Sequence, residues 1–242
     1  MTDLIIIGGP CSVESQEQIT KIYGDIHHNI DIFRGGAYKP RTSVKSFQGL
    51  GPVGLEYLKQ ASSKPIVSEI MDTADLEHFI DVDYIQIGAR NMQNFALLKK
   101  VGTLNKPVLL KRGLASTVEE LLAAAEYLTE FGASEVILCE RGIRTFSDSS
   151  RFTLDMAAVL KIKKETNYKV IVDVSHAAGN TEMIEDLALS SVALGADGIM
   201  IETHNNPEIA LSDKDQQLTT EDFNKLVIKL RDLSSFVKKL KK

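Results

Sequence analysis

Eight short apolar runs, each rich in β-branched residues and each followed by a stretch of helical period, most restrict what this chain can become. They are LIIIGG from Leu4, DIFRGG from Asp31, PIVSEI from Pro65, YIQIGA from Tyr84, PVLLKR from Pro107, EVILCE from Glu135, KVIVDV from Lys169 and GIMIET from Gly198. Their starts lie roughly 28 residues apart, the length of a strand, a helix and two turns. Runs apolar enough to be covered on both faces predict parallel strands with right-handed crossovers. A count of eight favours an α/β fold closed as a (β/α)8 TIM barrel over an open doubly wound sheet.

The helical segments carry their own signals. TVEELLAAAEYLTEFG opens on Thr117 with Glu120 three residues on, a capping box, and stops at Gly132. The last helix, from about Thr220, sets Phe223, Leu226, Val227, Leu230, Leu233, Phe236, Val237 and Leu240 in one apolar stripe. No composition shift or low-complexity tract marks a boundary. Residues 1–242 are therefore expected to form a single barrel domain; with the first strand starting at about Leu4, no separate regulatory domain is expected.

Charge narrows the function classes. The chain of 242 residues is 43% hydrophobic with a net charge of -5, which argues against non-specific nucleic-acid binding because phosphate would repel it. Apolar runs of only a few residues leave no transmembrane span, and MTDLIIIGG lacks the basic and apolar regions of a signal peptide. Two cysteines, Cys11 and Cys139, are too few for a disulfide framework and fit a reducing cytoplasm. The terminal VKKLKK reads as the solvated end of a helix.

In such a barrel the working face lies at the C-terminal ends of the strands. Reading along the chain, the residue at or just after each strand end is Cys11, Arg34 with Lys39, Glu69, Arg90, Lys111, Glu140 with Arg141, His176 and Glu202. The opposite ends carry ordinary turn residues. Several cations at one rim of an acidic protein predict an anionic guest, a carboxylate or a phosphate. Two long loops flank the rim. KPRTSVKSFQG after the second strand is rich in Lys, Arg, Thr and Ser, and HNNPEIALSDKDQQL after the eighth contributes Asp213 and Asp215.

A second constellation points to a metal. Cys11, His176, Glu202 and an aspartate of the last loop offer a thiolate, an imidazole and carboxylates. Singly each has a plain alternative: Cys11 a small core filler, His176 a satisfied core histidine, Glu202 a rim charge, Asp213 a turn residue. Jointly they belong to strands one, seven and eight, which a closed barrel brings to one side. Cys139, inside VILCE, reads as core; His27 and His28 read as exposed on the opposite face; His78 and His204 receive no role.

The motifs GPCSVES, FRGGAYKPRTS, IGAR, LLKRG, ERGIRT, DVSH and IETH followed by ALSD resemble, in order and over essentially the whole chain, those of the 3-deoxy-D-arabino-heptulosonate-7-phosphate (DAHP) synthases, closest to their short type I (beta) form. The resemblance implies condensation of phosphoenolpyruvate with erythrose 4-phosphate and release of phosphate, the first step of the shikimate pathway. It implies a divalent metal on Cys11, His176, Glu202 and Asp213, with Asp215 as the fallback. Mn2+ is the expected ion, and Fe2+, Co2+ or Zn2+ would also suit the donors. It implies a phosphoenolpyruvate pocket of Arg34, Lys39, Arg90, Lys111 and Arg141, with Arg41 and Thr42 on the aldose phosphate. Lys39 is the expected proton carrier near the aldehyde, with Glu69 or a water as alternative. A homo-oligomer, tetramer or dimer, is an expectation from the resemblance, and direct feedback inhibition is not expected unless the chain is part of a longer one or a separate regulatory chain supplies control.

Two rivals share much of this pattern. The sister enzyme making 3-deoxy-D-manno-octulosonate 8-phosphate from arabinose 5-phosphate has a loop reading like KANRSS where this chain has KPRTS. A non-catalytic sugar-phosphate-binding barrel is the other.

Overall fold

The computed structural model describes residues 4–41 and 43–240. Eight parallel strands run β1 Ile5–Gly9, β2 Ile32–Arg34, β3 Ile66–Ile70, β4 Tyr84–Ile87, β5 Pro107–Lys111, β6 Glu135–Glu140, β7 Lys169–Asp173 and β8 Gly198–His204. Each pairs with its successor, and β1 pairs with β8 from Ile5↔Gly198 to Gly9↔Glu202, which closes the barrel. The (β/α)8 TIM barrel is thus the fold.

Two apolar layers hold it together. Inside the barrel Ile7, Ile32, Val67, Leu109, Ile137, Cys139, Ile171 and Met200 pack on one another. Outside, the other face of each strand meets the helices α1 Gln16–Ile26, α2 Pro52–Ala61, α3 Phe95–Gly102, α4 Val118–Glu130, α5 Met156–Glu165, α6 Val174–Ala178, α7 Ile184–Leu194 and α8 Thr220–Leu240. Strands covered on both faces explain why their sequences read as continuous apolar runs. Cys139 is core, as its neighbours predict.

The capping box of α4 forms as read, with Thr117 Oγ1 accepting from Glu120 N and Glu120 Oε2 accepting from Thr117 N. Gly132, at φ 105°, ends that helix in the left-handed region that glycine tolerates.

Three elements correct or complete the reading of the sequence. The third crossover is a 3-10 turn, Thr73–Phe79, capped by Asp72, because the short connection between β3 and β4 leaves no room for a full helix and its strand returns. The loop after β8 is ordered: it makes 3-10 turns at Pro207–Ile209 and Lys214–Gln216, then a short strand β9, Leu218–Thr219, that pairs with Thr203 and His204. The stripe of α8 is buried only through Leu230; Phe236 is 57% and Leu240 69% exposed. Helical period fixes which residues share a face, not how far the neighbouring helices extend along it. Among the described residues no helix is long and apolar enough to cross a membrane.

Candidate active site

Strand period carries the chemistry onto the top of the apolar plug. Side chains two apart on a strand share a face. Two residues beyond interior Ile32, Val67, Leu109, Cys139, Ile171 and Met200 stand Arg34, Glu69, Lys111, Arg141, Asp173 and Glu202. Beyond interior Ile7 the same step falls on Gly9, whose φ is 144° and whose Cβ would strike the carbonyl of Arg34. Glycine there lets β1 close on β2 and turn Cys11 inward.

Cys11, Glu202 and Asp213 offer ligand atoms that all lie within 4.8 Å of one another. Cys11 Sγ is 3.1 Å from Asp213 Oδ2 and 2.9 Å from Lys39 Nζ. Burial pushes its thiol up to about 12, with the Glu202 charge adding to the effect. Burial alone would raise the carboxyl of Glu202 as well, yet His176 and Arg34 hold it down at about 2. Arg34 NH1 donates to Glu202 Oε1 at 2.7 Å, and Gln216 Nε2 donates to Oε2 at 2.7 Å. Asp213 sits in the left-handed region at φ 46°, an uncommon place for a non-glycine residue and one that turns its carboxylate toward the thiol.

His176 joins this group from α6, its Nε2 3.6 Å from Glu202 Oε1. Its Nδ1 lies 2.8 Å from Asp173 Oδ2, in a close approach bent away from hydrogen-bond alignment. Asp173 also caps α6 through His176 N and pairs with Lys111 Nζ at 2.6 Å. Against the effect of burial, His176 and Lys111 hold Asp173 well below the usual carboxylate range. Burial lowers the pKa of His176, against the opposing pull of Asp173 and Glu202. One thiol, two ionised carboxylates and an imidazole with a carboxylate behind it fit a divalent cation of borderline softness.

Beside these residues opens a pocket lined by Lys39, Arg41, Arg90, Lys111, Arg141 and Arg151 on the positive side, and by Glu69 and Asp213 on the negative. Six cations facing two carboxylates at low dielectric leave room for guest anions. Arg141 stacks over the ring of Phe152 at 4.2 Å, and burial lowers its pKa. Glu69 Oε2 accepts from Gln86 Nε2 at 2.9 Å, in space that Gly88 leaves open, since a Cβ there would strike that carboxylate.

The family model described as the DAHP synthetase I family matches residues 2–239. The chain belongs to the DAHP synthetase I family. It is 48% identical over 234 residues to the phospho-2-dehydro-3-deoxyheptonate aldolase of Thermotoga maritima, covering 95% of this chain and 69% of the relative. The crystal structure of the Thermotoga maritima DAHP synthase superposes with a TM-score of 0.94 at 46% identity, covering 97% of this chain and 70% of that one. A 2-dehydro-3-deoxyphosphooctonate aldolase of Geobacter sulfurreducens is more distant, 29% identical over 259 residues that cover 97% of this chain and 94% of its own.

Within this DAHP synthetase I barrel, Cys11, Glu202, Asp213 and His176 come together as a group, whereas Asp215 is exposed and outside it. Lys39, Glu69, Arg41, Arg90, Lys111 and Arg141 line the pocket. Arg34 stands apart from them: it is buried, bonded to Glu202 and to the carbonyl of Pro10. Thr42 lies outside the described residues.

His204 extends β8 and is buried, 3.8 Å from Glu14 across the β1 loop. Asp173, Arg151 and Gln216 escaped the reading of single strand ends. Asp173 was findable, because it follows Ile171 by two and precedes His176 by three, the spacing of a helix cap. Gln216 and Arg151 meet across 65 residues and left no local signal.

Proposed function

We propose that this chain condenses phosphoenolpyruvate with erythrose 4-phosphate and water to give DAHP and inorganic phosphate. The observation that carries the reading is the six-cation pocket opening onto Cys11, His176, Glu202 and Asp213. Two phosphates and a carboxylate need such a pocket, and an aldehyde needs an electrophile beside it.

A cation on these four residues, Mn2+ by preference or Fe2+, Co2+ or Zn2+, would supply Lewis-acid polarisation of the aldehyde. Arg90, Lys111 and Arg141 hold phosphoenolpyruvate, while Arg41 with Thr42 holds the aldose phosphate, so two like-charged substrates meet in fixed register. C3 of the enol phosphate adds to the aldehyde carbon. Lys39, 2.9 Å from Cys11 Sγ and facing the pocket, gives the proton that the aldehyde oxygen takes up. Water adds at the C2 cation so formed and gives one proton to Glu69. The hemiketal then collapses to the C2 ketone as the C2–O bond to phosphate breaks, its hydroxyl proton leaves with the phosphate, and Glu69 returns its proton through solvent to Lys39. Arg34 acts through Glu202, holding its carboxylate ionised and oriented.

The same reading takes residues 1–242 as a catalytic barrel domain, acting in the cytoplasm as a homo-oligomer. Phosphate release measured with each aldose in turn, after chelation and readdition of each metal, tests it. Erythrose 4-phosphate should exceed arabinose 5-phosphate by at least about tenfold in kcat/KM, a margin that contacts to one extra hydroxylated carbon supply. Preference for arabinose 5-phosphate would transfer the chain to its sister reaction, and full turnover in metal-free protein would remove the metal.

A further inference from the structure

Arg151 is the point where the anion pocket and the ligand set touch through a buried amide. Its guanidinium lines the pocket, and its NH1 donates to Gln216 Oε1 at 2.8 Å. Gln216, 1% exposed, passes the contact on through Nε2 to Glu202 Oε2 at 2.7 Å. The same NH1 is 3.8 Å from Asp213 Oδ1. The backbone of Arg151 and Phe152 donates to the carbonyls of Ala178 and Ala177 at the end of α6, the helix that carries His176. One arginine is thus anchored to α6, which carries His176, and to the loop of Asp213 and Gln216, and it reaches Glu202 through Gln216. It also shares the Phe152 ring with Arg141, 5.6 Å from the centroid, so two like charges flank one pocket wall.

We propose that Arg151 and Gln216 form a positioning relay that makes anion binding in the pocket and divalent-cation binding at Glu202 and Asp213 cooperative. The inference rests on the function proposed above. With no cation on the two carboxylates, Arg151 is drawn toward Asp213 Oδ1 at 3.8 Å, as Arg41 is at 3.9 Å, and of the two Arg151 is the one held by Gln216. A dication takes over that neutralisation and frees the guanidinium for an anion beside Arg141, where the repulsion between the two arginines is relieved. Linkage makes the effect reciprocal: an anion that engages Arg151 leaves the carboxylates more negative and tightens the cation by the same factor. Gln216 keeps the amide that faces Glu202 oriented, because its oxygen is fixed by Arg151 while its nitrogen donates.

The test is a coupling measurement in the intact chain. Free Mn2+ is read by electron paramagnetic resonance, giving the Mn2+ affinity with and without saturating phosphoenolpyruvate for wild type, Arg151→Ala and Gln216→Met. Arg151 is 42% exposed, so its truncation leaves the fold in place; methionine keeps the volume of Gln216 without its hydrogen bonds. Wild type should bind Mn2+ at least about fivefold more tightly with phosphoenolpyruvate present, the lower end of ordinary coupling. In both variants the factor should fall below about twofold.

A wild-type factor of one, or an undiminished factor in Arg151→Ala, overturns the relay. Coupling without turnover of either aldose overturns the proposed reaction and leaves the relay standing. Turnover without coupling does the reverse.

Discussion

Cys11→Ala is expected to lower turnover by roughly a thousandfold or more while the barrel stays folded. A Lewis acid contributes several kcal/mol to a carbonyl addition, and about 1.4 kcal/mol is a factor of ten. In the proposed site Cys11 would be the one sulfur among ligand atoms otherwise drawn from carboxylates and imidazole, so its loss should weaken the site and change its chemistry. The fold has little stake in it. The carbonyl of residue 11 still accepts from Lys39 Nζ and its N–H still donates to Gln217 Oε1, because both bonds are to backbone atoms. Removing one sulfur from a closed space costs on the order of 1 kcal/mol. Steady-state phosphate release, Mn2+ affinity and the melting temperature, measured together, check this. Cys139→Ala is the control, since that thiol lies in the barrel interior and should leave turnover within about twofold. Activity of Cys11→Ala within tenfold of wild type would end the metal-ligand assignment.

The second large effect is on stability. Arg112 is buried and donates through NH1 to Glu140 Oε2 and to Asp155 Oδ2, each at 2.9 Å, and through Nε to the carbonyl of Ser116. Glu140 is 1% exposed, and its Oε1 accepts from Gly142 N at 2.7 Å. Gly142, at φ 87°, begins the loop that carries Arg144 to Arg151. Arg112→Met strands the Glu140 carboxylate without its cation, and breaking a buried pair from one side costs about 3–5 kcal/mol. At about 2–4 °C per kcal/mol for a chain of this size, the melting temperature should fall by roughly 6–20 °C. Arg112→Met combined with Glu140→Met should recover much of the loss, because the buried carboxylate is then gone, while Asp155, 27% exposed, keeps solvent and Ala158 N as partners. A single-variant loss below about 1 kcal/mol would show that Glu140 finds another partner.

These two residues illustrate what was legible. The position of Cys11 at the end of a first apolar run, like that of Lys111 or Glu202 at the end of theirs, followed from strand period and from the rule that barrel chemistry sits at strand ends. Arg112 follows Lys111 by one, so it points to the other face of β5, and the same step puts Glu140 opposite it on β6. Nothing local distinguished a cation aimed at the pocket from one buried against α5. Arg34 shows the same limit in reverse. It stands on the inward face as expected, but at contact distance the carboxylate of Glu202 claimed it rather than the pocket.

Alternation of apolar strands with helical segments determined, in the sequence by itself, the barrel and the residue types at its strand ends. Those are properties of periodicity and order, which short-range sterics and burial write into every stretch of chain. Only the tertiary structure decided which charges pair: Glu202 with Arg34 and Gln216, Asp173 with Lys111 and His176, Arg151 between pocket and ligand set. Electrostatic partnership falls steeply with distance and grows with burial. It is settled by ångström differences between elements dozens of residues apart, to which no local pattern answers.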